Sequence, residues 1–598
     1  MIRPLVASAV VLGISVALPR AAHADDPSWD MQLKIESDVR FRLETKSAGG
    51  IIEQTTLPRG VERNQNLLGA RFAVAWENVR AVAQTDLVVY GYQTTLDSFS
   101  ALSDIQEEQP YRIDVNELYV EVQDLFFDGL NLRAGQQIVA WGVADQFNPT
   151  NNLNPDDLID PLLFGKQLGN FMLKADYWVT DDFSISAVLV PLFRPARIPT
   201  SAALGPAQVG RTPWVEKKLR WRTETERGAA GRFLNVPTAI DSITVITPEP
   251  EFENMQAAFR IAGTVLEQDI ALSYYTGFHD FPIPVQNHTK QNEIDACGGP
   301  PFGGICTTAA NGGILQTDTT LSFPKMHAYG LNIAGEFNPF KPIDPNIGGI
   351  GYRLEGALFI PRETKMKLTQ DELSLAGGLF VLPGGEYDYD QNGQPGGPRP
   401  TVVENEPFAK WTLGLDYTFP GNVYANLMWV HGLPDEFGAG DWIGGSKEVR
   451  ESTIVTESLG DMINPDTGCI SITPGGAVVD GTRCARETLR PRIGDYLVAG
   501  VDVRWLDDQL LTRLFTIIEM SGYELNRPTP SGDRRTIEYP FYTPEGFSAV
   551  VFPEMSYNWG NGLEVGIGAL FNLGKRYTKF GDPAAGGSLT YLRAKYTL

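Results

Sequence analysis

The chain has 598 residues and a formal net charge of -24, and 42% of its residues are hydrophobic. Its length alone fits either several soluble domains or one large barrel. The acidic balance argues against nucleic acid as a partner and suits a surface that meets divalent cations.

The N-terminus has the three parts of a secretory signal peptide. Met1-Ile2-Arg3 is a short basic start, residues 5–18 are apolar and uncharged, and Ala22-His23-Ala24 is a small-x-small cleavage site. We therefore expect residues 1–24 to be removed and the protein to leave the cytoplasm. After Ala24 no apolar run reaches roughly eighteen residues, so only a closed barrel could cross a membrane. Residues 25–598 are predicted to form that barrel as a single domain.

The first mature segment alternates between two chemistries. Its apolar residues are Leu33, Ile35, Val39, Phe41 and Leu43, and between them stand Lys34, Glu36, Asp38, Arg40 and Arg42. A two-residue period gives an extended strand two faces. A face this densely charged requires water, and the apolar face fits lipid, so the segment is predicted to be a barrel strand.

The same pattern recurs and predicts an all-β, antiparallel up-and-down transmembrane barrel of about 18 strands, within a range of roughly 16 to 20. The predicted strands are residues 31–45, 67–78, 80–91, 115–123, 131–140, 170–179, 183–192, 254–264, 268–277, 326–337, 350–360, 408–418, 421–431, 495–505, 509–520, 547–558, 562–573 and 588–598.

The predicted connections alternate in length. Tight turns such as Asn78-Val79 and Gly560-Asn561 alternate with long connections such as 193–253 and 432–494. Short periplasmic turns and long extracellular loops are typical of outer-membrane barrels. The last segment, 587–598, resembles the closing strand of such a barrel in Gram-negative bacteria. This implies an outer-membrane location, with lipid and lipopolysaccharide as neighbours. A barrel of about 18 strands is also too wide for side chains to fill, so we expect a water-filled lumen.

The inward face carries charges of both signs, and we expect these residues to form the pore wall. They either pair across strands to hold the barrel's shape or set ion selectivity, and we favour pairing for most of them. The predicted wall residues include Lys34, Glu36, Asp38, Arg40, Arg42, Arg71, Arg133, Arg353, Glu355 and Arg504.

The fifth strand leads into a motif and a loop rich in Asn and Pro. Arg133, Gly135, Gln137, Trp141 and Gly142 form R-x-G-x-Q-x-x-x-W-G. This resembles a family of Gram-negative outer-membrane barrels of unknown function that carry the same motif, and more distantly the alginate-export barrels and general porins. In porins the third loop folds inward and narrows the pore. The resemblance implies that the corresponding loop residues line or brace a constriction, namely Asp145, Asn148, Asn151, Asn152, Asp156, Asp157 and Asp160. The alternative is an external loop that its prolines merely stiffen.

Three loop features bear on partners and cofactors. Cys297 with Cys306, and Cys469 with Cys484, are local pairs that predict two loop disulfides in an oxidising compartment. Asp388, Asp390 and Asn392 match the first half of a calcium loop, but Arg399 stands where the closing glutamate should be. Calcium in this extracellular loop is the one cofactor that the sequence suggests. The basic segment 214–232 is either a solvated loop helix, which we favour, a contact for lipopolysaccharide phosphates, or a basic lid over the lumen.

No nucleophile motif accompanies the four histidines that remain after processing, so we expect no enzyme. The leading hypothesis is a porin-like channel for passive diffusion of small polar or charged solutes. The alternatives are an export barrel that receives a larger or more hydrophobic substrate from a periplasmic partner, and a non-conducting surface scaffold or adhesin. The chain does not indicate whether barrels associate into homo-oligomers.

Overall fold

The chain is described here from a computed structural model that covers most of the mature sequence. The description extends over residues 27–598 except 50–53, 92–109, 164, 200–237, 291–314, 340, 343–347, 363, 376–379, 383, 387, 390–394, 397–400, 405–406, 438–468, 471–482, 485–492, 529–533, 576–577 and 583–584. The predicted signal peptide lies outside it.

Within those residues, eighteen strands form one antiparallel sheet that closes on itself. This confirms the predicted barrel and its strand number. In chain order, β1 to β18 are Ser28–Arg42, Gly60–Trp76, Val79–Tyr90, Tyr111–Val122, Leu130–Gln137, Asn170–Thr180, Phe183–Val190, Gln256–Val265, Gln268–Phe278, Lys325–Phe337, Ile350–Pro361, Phe408–Phe419, Val423–His431, Asp495–Trp505, Leu510–Glu519, Ser548–Asn558, Leu563–Gly574 and Leu589–Thr597.

Each strand pairs with its neighbours in sequence, and β1 closes the cylinder by pairing with both β2 and β18. In this register Lys34 lies opposite Thr597 on one side and Gly69 on the other. The side-chain alternation is the inverse of a soluble protein: Ile35 on the outside is 53% exposed, whereas Arg40 on the inside is 1% exposed. The outer face is apolar, and the charged face looks into the lumen.

Tight turns join the strands at one end of the barrel, which we call the turn end, and long connections join them at the other, the loop end. The two-residue turn Leu266-Glu267 has φ values of 54° and 63°. Two consecutive positive φ values are the type I′ geometry that matches strand twist in a hairpin. The predicted alternation of short and long connections therefore corresponds to the two ends of the cylinder.

Several strand boundaries differ from the sequence prediction by a few residues, and two of the differences bear on the lumen. β2 begins at Gly60 rather than at residue 67, because its polar start pairs along the whole of β1, with Arg63 opposite Arg40. β5 ends at Gln137 rather than at residue 140, because the Val139 N–H bonds to the side chain of Asn154 at 2.7 Å instead of continuing the sheet. The first difference places Arg63 in the wall, and the second marks where the chain turns into the lumen.

Smaller sheets form in the connections, beyond the barrel strands. Among the described residues, a six-stranded sheet contains Thr238–Ile246, Leu315–Ser322, Ile283–Lys290, Thr364–Gln370, Gly385–Glu386 and Thr401–Glu404. Two-stranded sheets pair Lys46–Gly49 with Gln54–Leu57, Leu373–Leu375 with Phe380–Leu382, Asp388–Tyr389 with Pro395–Gly396, Cys469–Ile470 with Arg483–Cys484, and Tyr523–Pro528 with Arg534–Tyr539. A 3-10 helix spans Phe252–Asn254. Over the part of the chain covered above, no helix is long and apolar enough to span a membrane.

Candidate functional site

Residues 138–169, which we call the inner loop, leave the wall after β5 and cross the lumen before β6 begins. At one side Asp160 bonds to Arg40 of β1, and at the other Val143 and Thr150 bond to Glu355 of β11. β1 and β11 lie on opposite sides of the eighteen-stranded cylinder. A segment bonded to both must span the interior.

Glu355 is the main anchor of the inner loop on the far wall. Its Oε2 accepts the N–H groups of Val143 and Ala144 at 2.7 and 3.1 Å, and its Oε1 accepts the N–H and Oγ1–H of Thr150 at 2.9 and 2.7 Å. The side chain is fully buried. The carboxylate thus accepts four hydrogen bonds. Three come from backbone N–H groups that would otherwise be buried without partners.

Neighbouring wall residues add further bonds to the same stretch. Asn332 of β10 donates to the Trp141 carbonyl at 2.6 Å, and Thr412 of β12 donates to the Phe147 carbonyl at 2.7 Å. Arg353 forms an ion pair with Asp145, which also accepts a bond from Asn426 at 3.1 Å. The first half of the inner loop is thus held by four consecutive strands, β10 to β13.

The second half is held by a charge cluster on β1, β2 and β18. Arg40 donates through Nη1 and Nη2 to the two oxygens of Asp160, both at 2.6 Å, and through Nη2 to Asp38 at 2.6 Å. Arg63 reaches Asp160 at 3.3 Å, and Arg593 reaches Asp38 at 3.3 Å. Burial alone would raise the pKa of Asp160, but the hydrogen bonds and charge of Arg40 outweigh it and hold the pKa below its ordinary value.

Inside the loop, asparagine side chains replace the hydrogen bonds that a strand would supply. The Asn151 Oδ1 accepts the N–H groups of Trp141 and Gly142 at 2.7 and 2.8 Å, and the Asn148 Oδ1 accepts that of Ala144 at 2.8 Å. Asn154 bonds to Val139, Gln137 and Leu168, and Asn152 donates to the Pro149 carbonyl. The asparagines of this segment therefore brace the loop itself.

Apolar packing seals much of the space between the inner loop and the wall. Val139, Trp141 and Leu153 belong to one buried cluster with wall residues of β6 to β12. Phe147 and Leu162 belong to a second cluster with wall residues of β13 to β18. Water and solutes are excluded where these clusters lie.

A cavity of about 300 Å³, which we call the passage, remains between the second half of the inner loop and the wall of β1 to β4 and β16 to β18. The loop contributes Asp157, Ile159, Asp160, Leu163 and Lys166. The wall contributes apolar residues such as Leu67 and charges of both signs, among them Lys34, Glu36, Arg63, Glu554, Arg593 and Lys595. Many of these charges are paired, as in Lys34–Glu36 at 2.9 Å and Lys166–Asp157 at 2.9 Å.

A second cavity of about 60 Å³, which we call the side cavity, lies on the opposite face of the inner loop. Asp156 lines the side cavity whereas its neighbour Asp157 lines the passage. The loop therefore separates the two spaces. Asn148, Asn151 and Asn152 also face the side cavity, so of the seven residues predicted for a constriction only Asp157 and Asp160 line the passage among the residues described.

The predicted wall residues beyond the passage mostly form ion pairs. Arg42 pairs with Glu62, Arg71 with Asp30 at 3.4 Å, and Arg353 with Asp416 at 3.3 Å. Arg133 pairs with Glu121 at 3.1 Å and lies over the Tyr119 ring. Arg504 is exposed near the turn end of β14.

The motif residues hold the junction between β5 and the inner loop. Gly135 has a φ of 132°, and a side chain there would collide with the backbone of Leu118 and Tyr119. Gln137 donates to the Met172 carbonyl at 3.0 Å, and Trp141 is buried in the first apolar cluster. At Gly142 the surroundings have no room for a side chain, because a Cβ there would lie 2.5 Å from the Cβ of Asn148.

Several predicted features lie partly or wholly outside the described residues. These are Cys297, Cys306, Asp390, Asn392 and the basic segment 214–232. Of Asp388 only the backbone is described. Cys469 and Cys484 are direct partners across a short antiparallel ladder, and the disulfide between them stays a prediction.

Residues that hold or surround the inner loop but were not in the predicted site include Arg63, Asn332, Thr412 and Asp280. Arg63 was placed in a loop because the segment around it lacks alternation. Asn332 and Thr412 fall on the inward face by strand parity, so their position was predictable, but their partners in the inner loop were not. Asp280 lies in a connection more than a hundred residues further along the chain, and its carboxylate accepts the Asp156 N–H at 2.9 Å.

Comparisons with known proteins found one family and several solved structures that are similar to this chain. Residues 72–240, less than half of the chain, match a family described as proteins of unknown function, DUF1302, and this stretch includes the motif and the inner loop. Three similar solved structures are the outer membrane protein OpdK of Pseudomonas aeruginosa (8% identity, 95% of this chain and 99% of that chain, TM-score 0.38), OccK5 (OpdH) of the same species (8%, 95% and 98%, 0.37) and OccAB3 of Acinetobacter baumannii (9%, 95% and 99%, 0.38). No curated protein matched the sequence.

Proposed function

We propose that the protein is a channel of the Gram-negative outer membrane that lets small polar or charged solutes diffuse passively through the passage. The observation that carries this proposal is the inner loop, which is bonded to opposite walls and leaves the charge-lined passage between its second half and the wall. A channel that selects by size needs a narrow section held rigidly, and this arrangement supplies one.

The surface chemistry supports a location in lipid. Large apolar side chains are exposed all around the outer face, among them Phe72 on β2, Leu272 on β9, Leu427 on β13 and Leu592 on β18. A closed barrel satisfies every backbone hydrogen bond between strands, which is what a hydrocarbon environment demands. Most charged residues of the described strands lie on the lumen face, where water can solvate them.

The passage can hold hydrated polar solutes because its charges are fixed in pairs. Paired charges can stay paired while a solute passes, at little cost in free energy. They also offer the solute both hydrogen-bond donors and acceptors. Lys34, Glu36 and Arg593 form such a group at the turn-end side of the inner loop. The apolar clusters on the other side of the loop direct solutes into the passage.

Two adjacent leucines of β2 provide a matched test. Leu67 faces the passage, whereas Leu68 points outward and is 46% exposed. Each is replaced by cysteine, and the conductance of the purified full chain in a planar bilayer is recorded before and after adding a charged methanethiosulfonate reagent. The unsubstituted protein measures any effect of the native cysteines.

We expect stable conductance steps, a clear fall after modification of Leu67→Cys, and no change for Leu68→Cys. An equal response of both variants would place the conducting path elsewhere. A folded protein that never conducts would overturn the channel proposal and favour a scaffold or a gated export barrel instead.

A further inference from the structure

The side cavity contains a buried cation without an anion in contact with it. Lys410 of β12 is 5% exposed, and its Nζ donates to the carbonyls of Leu433 and Pro434 at 2.8 and 3.3 Å. Its ammonium lies 5.7 Å from the centre of the Phe359 ring. Among the described residues no carboxylate lies within 4.0 Å of it, although an ammonium can donate three hydrogen bonds.

The carboxylates closest in sequence to the Lys410 acceptors are committed elsewhere. Asp435 pairs with Lys579 at 2.6 Å. Glu436 accepts bonds from the N–H groups of Leu433 and Gly494 and from the hydroxyl of Tyr496. Neither neutralises Lys410 by direct contact.

The same cavity also contains carboxylates without a cation. Asp280 accepts the Asp156 N–H, and the Asp156 carboxylate itself makes no hydrogen bond or ion pair with the chain as far as it is described. Burial raises the pKa of both groups, and the charge of Asp280 contributes to the shift at Asp156.

Buried charges of opposite sign usually meet directly, because separation in a low-dielectric space leaves the desolvation cost of each uncompensated. Here Lys410 and the Asp156–Asp280 pair line one cavity without touching. A ligand that carries an anionic and a cationic group could contact both. The side-chain amides of Asn151 and Asn152 line the same space and can contribute further hydrogen bonds.

We propose that the side cavity binds a small zwitterion, whose carboxylate contacts Lys410 and whose ammonium contacts Asp156 and Asp280. The ligand is of the size of an amino acid. The site lies on the other face of the inner loop from the passage, so binding is distinct from conduction and does not depend on it. Asp156 and Asp157 connect the two spaces through consecutive residues of one loop.

Isothermal titration of the detergent-purified full chain tests this proposal. The probes are glycine, β-alanine and γ-aminobutyrate, which differ in the distance between their charges, together with acetate and ethylammonium, which carry one charge each. We expect saturable binding of at least one zwitterion and much weaker binding of both singly charged probes.

Two substitutions probe the two ends of the ligand separately. Lys410→Met and Asp156→Asn should each weaken binding of the zwitterion at least tenfold, about 1.4 kcal/mol. Asp502→Asn on β14, which pairs with Arg513 outside the side cavity, should bind as the unsubstituted chain does. Asp156→Asn removes no contact of the fold, so it keeps the test valid if Lys410→Met fails to form a barrel.

Several outcomes would overturn the proposal. No saturable binding by any zwitterion would leave a water-filled cavity. Acetate binding as tightly as the zwitterions would show an anion site at Lys410 alone, and ethylammonium doing so would show a cation site at the aspartates. Unchanged binding in both variants would place the ligand elsewhere on the protein.

Discussion

Arg40 and Asp160 are bonded through two parallel contacts of 2.6 Å across 120 residues of sequence. Both side chains are largely buried, and the pair joins the second half of the inner loop to the first barrel strand. Bidentate Arg–carboxylate pairs fix geometry as well as charge. The position of the inner loop, and with it the width of the passage, depends on this contact.

Asp160→Asn should therefore loosen the inner loop. The variant leaves Arg40 with Asp38 as its remaining partner, so we expect a loss of about 3 kcal/mol of stability, at the lower end of values for a broken buried pair. Conductance and its noise should rise, because the loop is freer to move away from β1. Asp30→Asn is the control, since the Asp30–Arg71 pair is exposed and such pairs contribute about 1 kcal/mol or less. An unchanged conductance in Asp160→Asn would show that the loop does not limit flow.

Glu355→Gln should release the first half of the loop. A carboxamide offers one oxygen and an NH2 group where the carboxylate accepts four donors, so at least two buried donors lose their partner, at about 1–3 kcal/mol each. Hydrogen exchange should show loss of protection at the amides of Val143, Ala144 and Thr150. The amides of Asp157 and Leu168, which bond to the Lys166 and Pro155 carbonyls, are the internal reference. If all five amides exchange as before, Glu355 is not an anchor.

Gly142→Ala should disturb the turn that brings the chain into the lumen. Its Cβ would overlap the side chain of Asn148, and that side chain is held by bonds to Ala144 and Asp145. Overpacking of this kind costs about 1–3 kcal/mol. Gly500→Ala on β14 is the matched control, because a Cβ there would meet Phe515 at an ordinary 3.8 Å. The melting temperatures of the two variants should differ by several degrees, and equal values would contradict this account of Gly142.

Two buried groups, Asp280 and His279, should contribute opposite slopes to the pH dependence of stability. Burial raises the pKa of Asp280 from 3.8 to about 6, so its contribution favours the folded state at low pH and is lost as the pH rises from about 4 to 6. Burial and the Lys410 charge lower the pKa of His279 from 6.5 to about 3, so its contribution is present at high pH and is lost as the pH falls through that range. Between pH 4 and 6 the two slopes have opposite signs.

Variants that remove one contribution should reveal the pH dependence that the other produces. His279→Gln should make the melting temperature fall as the pH is raised from 4 to 6. The double variant Asp156→Asn/Asp280→Asn leaves His279 alone, so its melting temperature should rise over the same interval. Thermal scans at several pH values check both, and parallel curves for the two variants would refute the assignment.

The barrel itself could be predicted from the sequence because strand alternation is a local property. Lys34 to Arg42 alternate with apolar residues whatever the rest of the chain does, and each barrel strand repeats that pattern within about ten residues. The alternation of short and long connections then determined which ends of the strands share a side. The motif around Gly135 and Trp141 likewise marked the place where the fifth strand leaves the wall.

What the tertiary structure alone decided is which distant residues meet inside the cylinder. The Arg40–Asp160 and Thr150–Glu355 contacts join residues 120 and 205 positions apart, and no local pattern encodes such partners. The same holds for the division of the loop between two cavities, with Asp156 on one side and Asp157 on the other. Local alternation determines only which face of a strand a side chain occupies, whereas its partner across the lumen depends on barrel closure and on the path of a loop that has no repeating pattern.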